Sequence, residues 1–114
     1  MNQLVSTEWL DKNLDNVKIL DASWHLPNVN RNSFEEYKSN HIINSIFFDI
    51  DKNSNQKTSL PHMLPSKEDW EIIVSALGIS NSDHVVVYDN SDVFSSCRVW
   101  YTFLYFGHDP KLIS

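Results

Sequence analysis

The feature that most constrains this chain is the run His84-Val85-Val86-Val87-Tyr88-Asp89. Successive side chains of a strand point to opposite faces, so unbroken β-branched residues describe a strand covered on both sides. Such a strand needs neighbours within a sheet and a layer packed on each face. Two further apolar segments, Val17-Lys18-Ile19-Leu20-Asp21 and Ser45-Ile46-Phe47-Phe48-Asp49, read as partner strands. Helix signals separate them. Ser6 caps a first short helix ending near Leu14, and Ser33 with Glu36 forms a capping box for a second. Ser66 opens a third helix, with Glu68 and Asp69 at its positive end and Trp70, Ile73, Val74 and Leu77 on one face, stopping at Gly78. Ser96 begins a strongly apolar fourth helix, carrying Val99, Trp100, Phe103, Leu104 and Phe106 and closed by Gly107. Lys111-Leu112-Ile113-Ser114 reads as the opening of another strand. Strands alternating with helices predict an α/β fold, an open parallel sheet with right-handed crossovers.

At 114 residues the chain suits one domain, 1–114, and 41% AVILMFWYC is enough to bury a core. A net charge of −6 with no basic stripe argues against nucleic-acid and anionic-membrane partners. The longest apolar runs fall far short of the roughly 20 residues of a membrane span. MNQLVSTEWLDK has none of the parts of a secretory leader, and the single cysteine, Cys97, cannot form an internal disulfide. These features predict a cytoplasmic protein. The polar stretch DKNSNQKTS, 51–59, reads as an exposed loop.

Asp21, Asp49 and Asp89 each end a predicted strand, and ligands of open α/β sheets bind at that edge. Two readings are open. The carboxylates could hold Mg²⁺ for phosphoryl transfer, although the strand-end lysine of that chemistry is missing, or they could accept backbone N–H groups from the following turns. The histidines at 25, 41, 62, 84 and 108 show no metal-ligand spacing, so neither a metal nor a cofactor is expected. His62 lies in Leu60-Pro61-His62-Met63-Leu64-Pro65, where two prolines would hold an imidazole in place, either as a positioned base or as an ordinary loop side chain. Cys97, next to Arg98 in the first turn of the fourth helix, is either a reactive thiolate or, more commonly for such a residue, a small buried hydrophobe.

Several motifs together carry a family resemblance. They are Leu20-Asp21-Ala22-Ser23-Trp24, Glu36-Tyr37 with His41-Ile42, Phe47-Phe48-Asp49-Ile50-Asp51, Pro61-His62-Met63-Leu64-Pro65, Val86-Val87-Tyr88-Asp89, Phe94-Ser95 with Arg98-Val99-Trp100, and Phe106-Gly107-His108. In this order, over nearly the whole chain, they resemble the N-terminal rhodanese-like domain of two-domain thiosulfate and 3-mercaptopyruvate sulfurtransferases. The resemblance implies a five-stranded parallel sheet with helices on both faces. It also implies that the sulfur-carrying cysteine belongs to a second, C-terminal catalytic domain, missing here or supplied by a separate chain. Asp89 stands where that nucleophile would be, and Cys97 does not match it, so by resemblance the chain is a sulfurtransferase half that is inactive alone. The same resemblance makes Trp24 and Phe94 cleft-wall residues that contact a small sulfur-donor substrate. It makes Asp51 and His62 a supporting proton relay, with His62 favouring mercaptopyruvate, and it leaves Arg98 a structural role. The alternatives are a non-catalytic interaction module that pairs with a separate catalytic rhodanese domain, and an Mg-dependent phosphoryl-transfer domain using Asp21, Asp49 and Asp89.

Two departures from the family pattern carry expectations. His41-Ile42-Ile43-Asn44-Ser45 replaces His-Ile-Pro-Gly-Ala, so Asn44 must supply the left-handed turn. The last strand is expected to be incomplete, a truncated element between the first strand and the one ending at Asp89. It would leave inner backbone groups unpaired and stability marginal.

Overall fold

The computed structural model describes residues 4–26, 29–56, 63–91 and 95–114. Helix α1 spans Thr7–Lys12, capped by Ser6, whose hydroxyl accepts the Trp9 N–H; a 3-10 turn, Leu14–Asn16, follows. The helix therefore ends earlier than expected. Strand β1 is Val17–Asp21, α2 is Ser33–Ser39 and β2 is Ser45–Phe47. Helix α3 is Lys67–Ala76, β3 is His84–Tyr88 and α4 is Ser95–Tyr105. Ser66 caps α3 as expected. The α2 cap is Asn32 instead of Ser33: its side chain accepts the Glu35 N–H, and Glu36 turns away to Arg31 and His25.

The three strands form a parallel sheet in the order β2-β1-β3. β1 pairs with β3 over five residues, Val17 opposite His84 through Asp21 opposite Tyr88, and with β2 over three. This corrects the expectation for the last strand. A 3-10 turn, Pro110–Leu112, takes up most of it, and Ile113 bridges in parallel to Val85 on the side of β3 away from β1. Ser114 donates its N–H to the Val85 carbonyl and accepts the Val87 N–H, at 2.9 and 2.8 Å. Direct β1–β3 pairing leaves no place for an inner strand. Among the described residues the sheet has three strands and this bridge, where the resemblance implied five strands.

Both faces are covered. Leu20, Val85 and Ile113 meet Phe48, Trp70, Val99 and Phe103 from the α3 and α4 side. Trp70 is the hub of that layer, edge-on to Phe103 at 5.0 Å and stacked on Phe106 at 5.2 Å. Ile19 and Val86 face the other way, onto Leu10 with Trp9 and Ile42 around it. Phe34 and Tyr37 of α2 pack on Phe47, and the Tyr37 hydroxyl donates to the Ser45 carbonyl at 2.6 Å. The β-branched run therefore divides its side chains between two cores. No helix among the described residues is long and apolar enough to cross a membrane.

The chain's two glycines do the same job. Gly78 and Gly107 lie at φ +75° and +91°, immediately past the ends of α3 and α4. In each case the glycine N–H and the next N–H turn back onto the helix: Gly78 to Ser75 and Ile79 to Val74, Gly107 to Leu104 and His108 to Phe103. Asn44 adopts φ +66° ahead of β2, as the missing glycine of that turn requires.

Two predictions follow from this layout. A Cβ on Gly107 would meet nothing within 4 Å, so Gly107→Ala should cost only its left-handed backbone strain, about 1 kcal/mol in urea unfolding. His84 sits half-buried against Trp9, with its Nε2 3.0 Å from the Ser114 hydroxyl; burial, then the nearby His108, pushes its imidazole below the ordinary value. Its unfolded state therefore takes up a proton first as pH falls. Stability should be complete above about pH 6.5 and decline below it, and His84→Gln should flatten that slope.

Candidate functional site

The site lies at the C-terminal edge of the sheet, where the loops leaving β1, β2 and β3 converge. Local carboxylate chemistry builds the loops. Asp21, 4% exposed, accepts both the N–H and the hydroxyl of Ser23 on one oxygen, at 2.9 and 2.6 Å. The Ser23 oxygen then accepts the Asn90 N–H at 2.7 Å, which ties the loop after β1 to the loop after β3. Asp49 accepts the Lys52 N–H, turning the chain after β2. Asp89 accepts the Ser91 N–H on one oxygen and the Ser96 N–H, in the first turn of α4, on the other at 2.7 Å. The three carboxylates thus match the backbone-acceptor alternative. Among the described residues no group of three or more His, Cys, Asp or Glu is close enough to hold a metal ion.

Trp24 and Asp51, 27 residues apart, are brought together: the indole Nε1–H donates to Asp51 Oδ2 at 3.2 Å. They share an open cleft of about 310 Å³ with His25, Arg31, Phe47 and Asp49. His62 and Phe94 lie outside the described residues. Cys97 is exposed, against the commoner expectation of burial, and borders a separate groove with Val87, Trp100 and Ser114. Arg98 faces yet another side, beside Phe48, Ile50 and Thr102, where burial pushes its guanidinium below its ordinary value.

The structure adds a cluster that the pattern reading misassigned. Glu36 receives Arg31 on both oxygens, at 2.9 Å each, and His25 Nε2 at 3.0 Å. Arg31 also donates to the Asn90 carbonyl at 3.3 Å. The Arg31 guanidinium holds the Glu36 carboxyl below its ordinary value; partial burial opposes this and His25 adds to it. The Ser33 to Glu36 spacing points to a capping box, and no local spacing points from Glu36 to Arg31 or His25, which lie outside the helix. Behind the cluster, burial raises the Tyr88 phenol, whose oxygen accepts the Ile42 N–H at 3.1 Å, and the Asp21 carboxylate adds to the rise.

Ser23 is the joint of this rim. Ser23→Ala should cost about 2 kcal/mol in denaturant unfolding, because it strips a partner from buried Asp21 and leaves the Asn90 N–H without its acceptor.

A model of the rhodanese-like domain family matches residues 6–114. The chain is 52% identical over 108 residues to thiosulfate/3-mercaptopyruvate sulfurtransferase 1 of Arabidopsis thaliana mitochondria, covering 93% of this chain and 28% of that protein. It is 41% identical over 113 residues to the 3-mercaptopyruvate sulfurtransferase of Rattus norvegicus, covering 92% and 38%. It superposes on the crystal structure of SseA, a 3-mercaptopyruvate sulfotransferase from Escherichia coli, with a TM-score of 0.87 at 34% identity, covering 96% of this chain and 43% of that one. The chain thus spans 28% to 38% of the length of these two curated relatives. Carboxylate-built loops on a parallel sheet, sequence identity and superposition agree that the chain belongs to the rhodanese-like domain family, among sulfurtransferase relatives.

Proposed function

We propose that the chain is the N-terminal, non-nucleophilic half of a sulfurtransferase. With a catalytic C-terminal rhodanese domain it would move sulfane sulfur from 3-mercaptopyruvate or thiosulfate to cyanide or thiol acceptors. The observation that carries this reading is Asp89. At the loop position that corresponds, by the family resemblance, to the cysteine of the catalytic domain, a carboxylate accepts the Ser91 and Ser96 N–H groups. A carboxylate held this way can neither attack a sulfane sulfur nor carry one.

The other parts of the rim are then the chain's contribution to a shared cleft. Trp24, with Phe94, supplies apolar wall, which excludes water from a persulfide and strengthens the electrostatics around it. Asp51, with His62, supplies the supporting relay. The Trp24–Asp51 hydrogen bond supports both assignments, because it fixes the indole and the carboxylate relative to each other. The reading in which the chain pairs with a separately encoded catalytic domain uses the same surfaces, and one experiment serves both.

The chain alone should show no thiosulfate or mercaptopyruvate turnover above background. Adding a separately produced catalytic rhodanese domain should raise that domain's turnover, and Asp51→Asn should reduce the gain. Robust cyanolysis by the chain alone that vanishes in Cys97→Ser would overturn the assignment.

A further inference from the structure

Phe34, Ile46 and Ile72 are 47%, 36% and 68% exposed and belong to neither buried layer. They line one open groove of about 660 Å³ along β2, beyond which no strand pairs among the described residues. The strand divides this groove into two flanks. Ile46 pairs with Leu20 and shares its face, so it stands on the α3 side with Ile72. Phe47 points the other way, onto Phe34 and Tyr37 of α2. Strand pairing is not what this edge offers. The Ser45 carbonyl already accepts the Tyr37 hydroxyl, and the Ser45 N–H donates to the Ile42 carbonyl. The groove therefore meets a partner through side chains.

Single exposed apolar residues are ordinary, but a contiguous patch marks an interaction surface. With the partly buried Tyr37, Phe47, Ile73 and Leu77, the groove presents roughly 400 Å² of apolar surface. That matches one side of a standard interface, where a little over half of about 800 Å² is apolar.

Charge decides the occupant. The chain carries −6, so two copies repel over most of their surfaces. The charged residues lining the groove are one of each sign, Asp49 and Lys52. Lys52 is exposed and joins no ion pair among the described residues, and Asp49 spends one oxygen on the Lys52 N–H. Lys38, over the Phe34 ring, is matched by Glu35. A two-fold contact sets a patch against its own copy and must be self-complementary. Two apolar flanks and one charge of each sign meet that requirement.

We propose that this groove is the contact through which two copies of the chain form a two-fold dimer. Phe34 and Phe47 of one copy pack on Ile46 and Ile72 of the other, and Lys52 of each meets Asp49 of the other. Trp24 and Asp51 lie outside the groove, so the dimer does not depend on the sulfurtransferase reading.

Sedimentation velocity of the whole chain should show a monomer–dimer equilibrium between micromolar and submillimolar concentrations. Ile72→Ser and Lys52→Glu, both at exposed positions, should each raise the dimer dissociation constant on the order of tenfold or more, with circular dichroism unchanged. Tyr101→Ser, which removes an exposed aromatic from α4 instead, should leave it where it was. A chain that stays monomeric throughout, a dimer that either groove variant leaves intact, or one that Tyr101→Ser weakens equally would overturn the proposal. So would a catalytic rhodanese domain that binds the wild-type chain and not Ile72→Ser, because the groove would then belong to that domain.

Discussion

The structure depends on the parallel pairing of β1 with β3. Five residues of each strand are in register, and that register puts Leu20 beside Val87 on one face and Ile19 beside Val86 on the other. Each face can then bury an independent apolar layer, one built on Trp70 and Phe103 and one on Leu10. Parallel strands also finish at the same edge. Asp21 and Tyr88 are paired residues at that edge, so the loops that follow them leave side by side.

That adjacency makes the rim possible. Asp21 reaches Ser23, Ser23 reaches Asn90, and Asn90 reaches Arg31, so the loop after β1, the loop after β3 and the approach to α2 form one hydrogen-bonded circuit. The Trp24–Asp51 contact brings in the loop after β2. A rim held this way offers a shaped, polar surface at low entropic cost, because the side chains that would meet a partner or ligand are already fixed by their neighbours. The carboxylate at position 89 closes the next turn of the same edge: its two oxygens bind the N–H groups of its own loop and of the start of α4.

Much of this was legible in the residues. The strands were found because β-branched and apolar residues cluster over short stretches, and the helix ends because Ser66, Gly78 and Gly107 act through local backbone geometry. Asn44 behaved as its side chain allows. The errors share one cause. Ser33 and Glu36 have the local spacing of a capping box, yet Glu36 is claimed by Arg31 and His25, and Asn32 caps instead. Cys97 lies on a helix whose apolar face is crowded, and only the helix's rotation against the sheet shows that the thiol points outward.

What the sequence determined by itself is therefore local: an α/β alternation, one run of valines covered on both faces, and helix ends set by serine and glycine. Tertiary structure decided what joins what. It placed Ile113 on the outer side of β3, because β1 already occupies the inner side. It joined Trp24 to Asp51 and His25 to Glu36 across gaps that no local pattern spans. The reason is physical: caps and turns are settled by a few neighbouring dihedral angles, whereas strand order and rim contacts depend on which distant surfaces bury each other best.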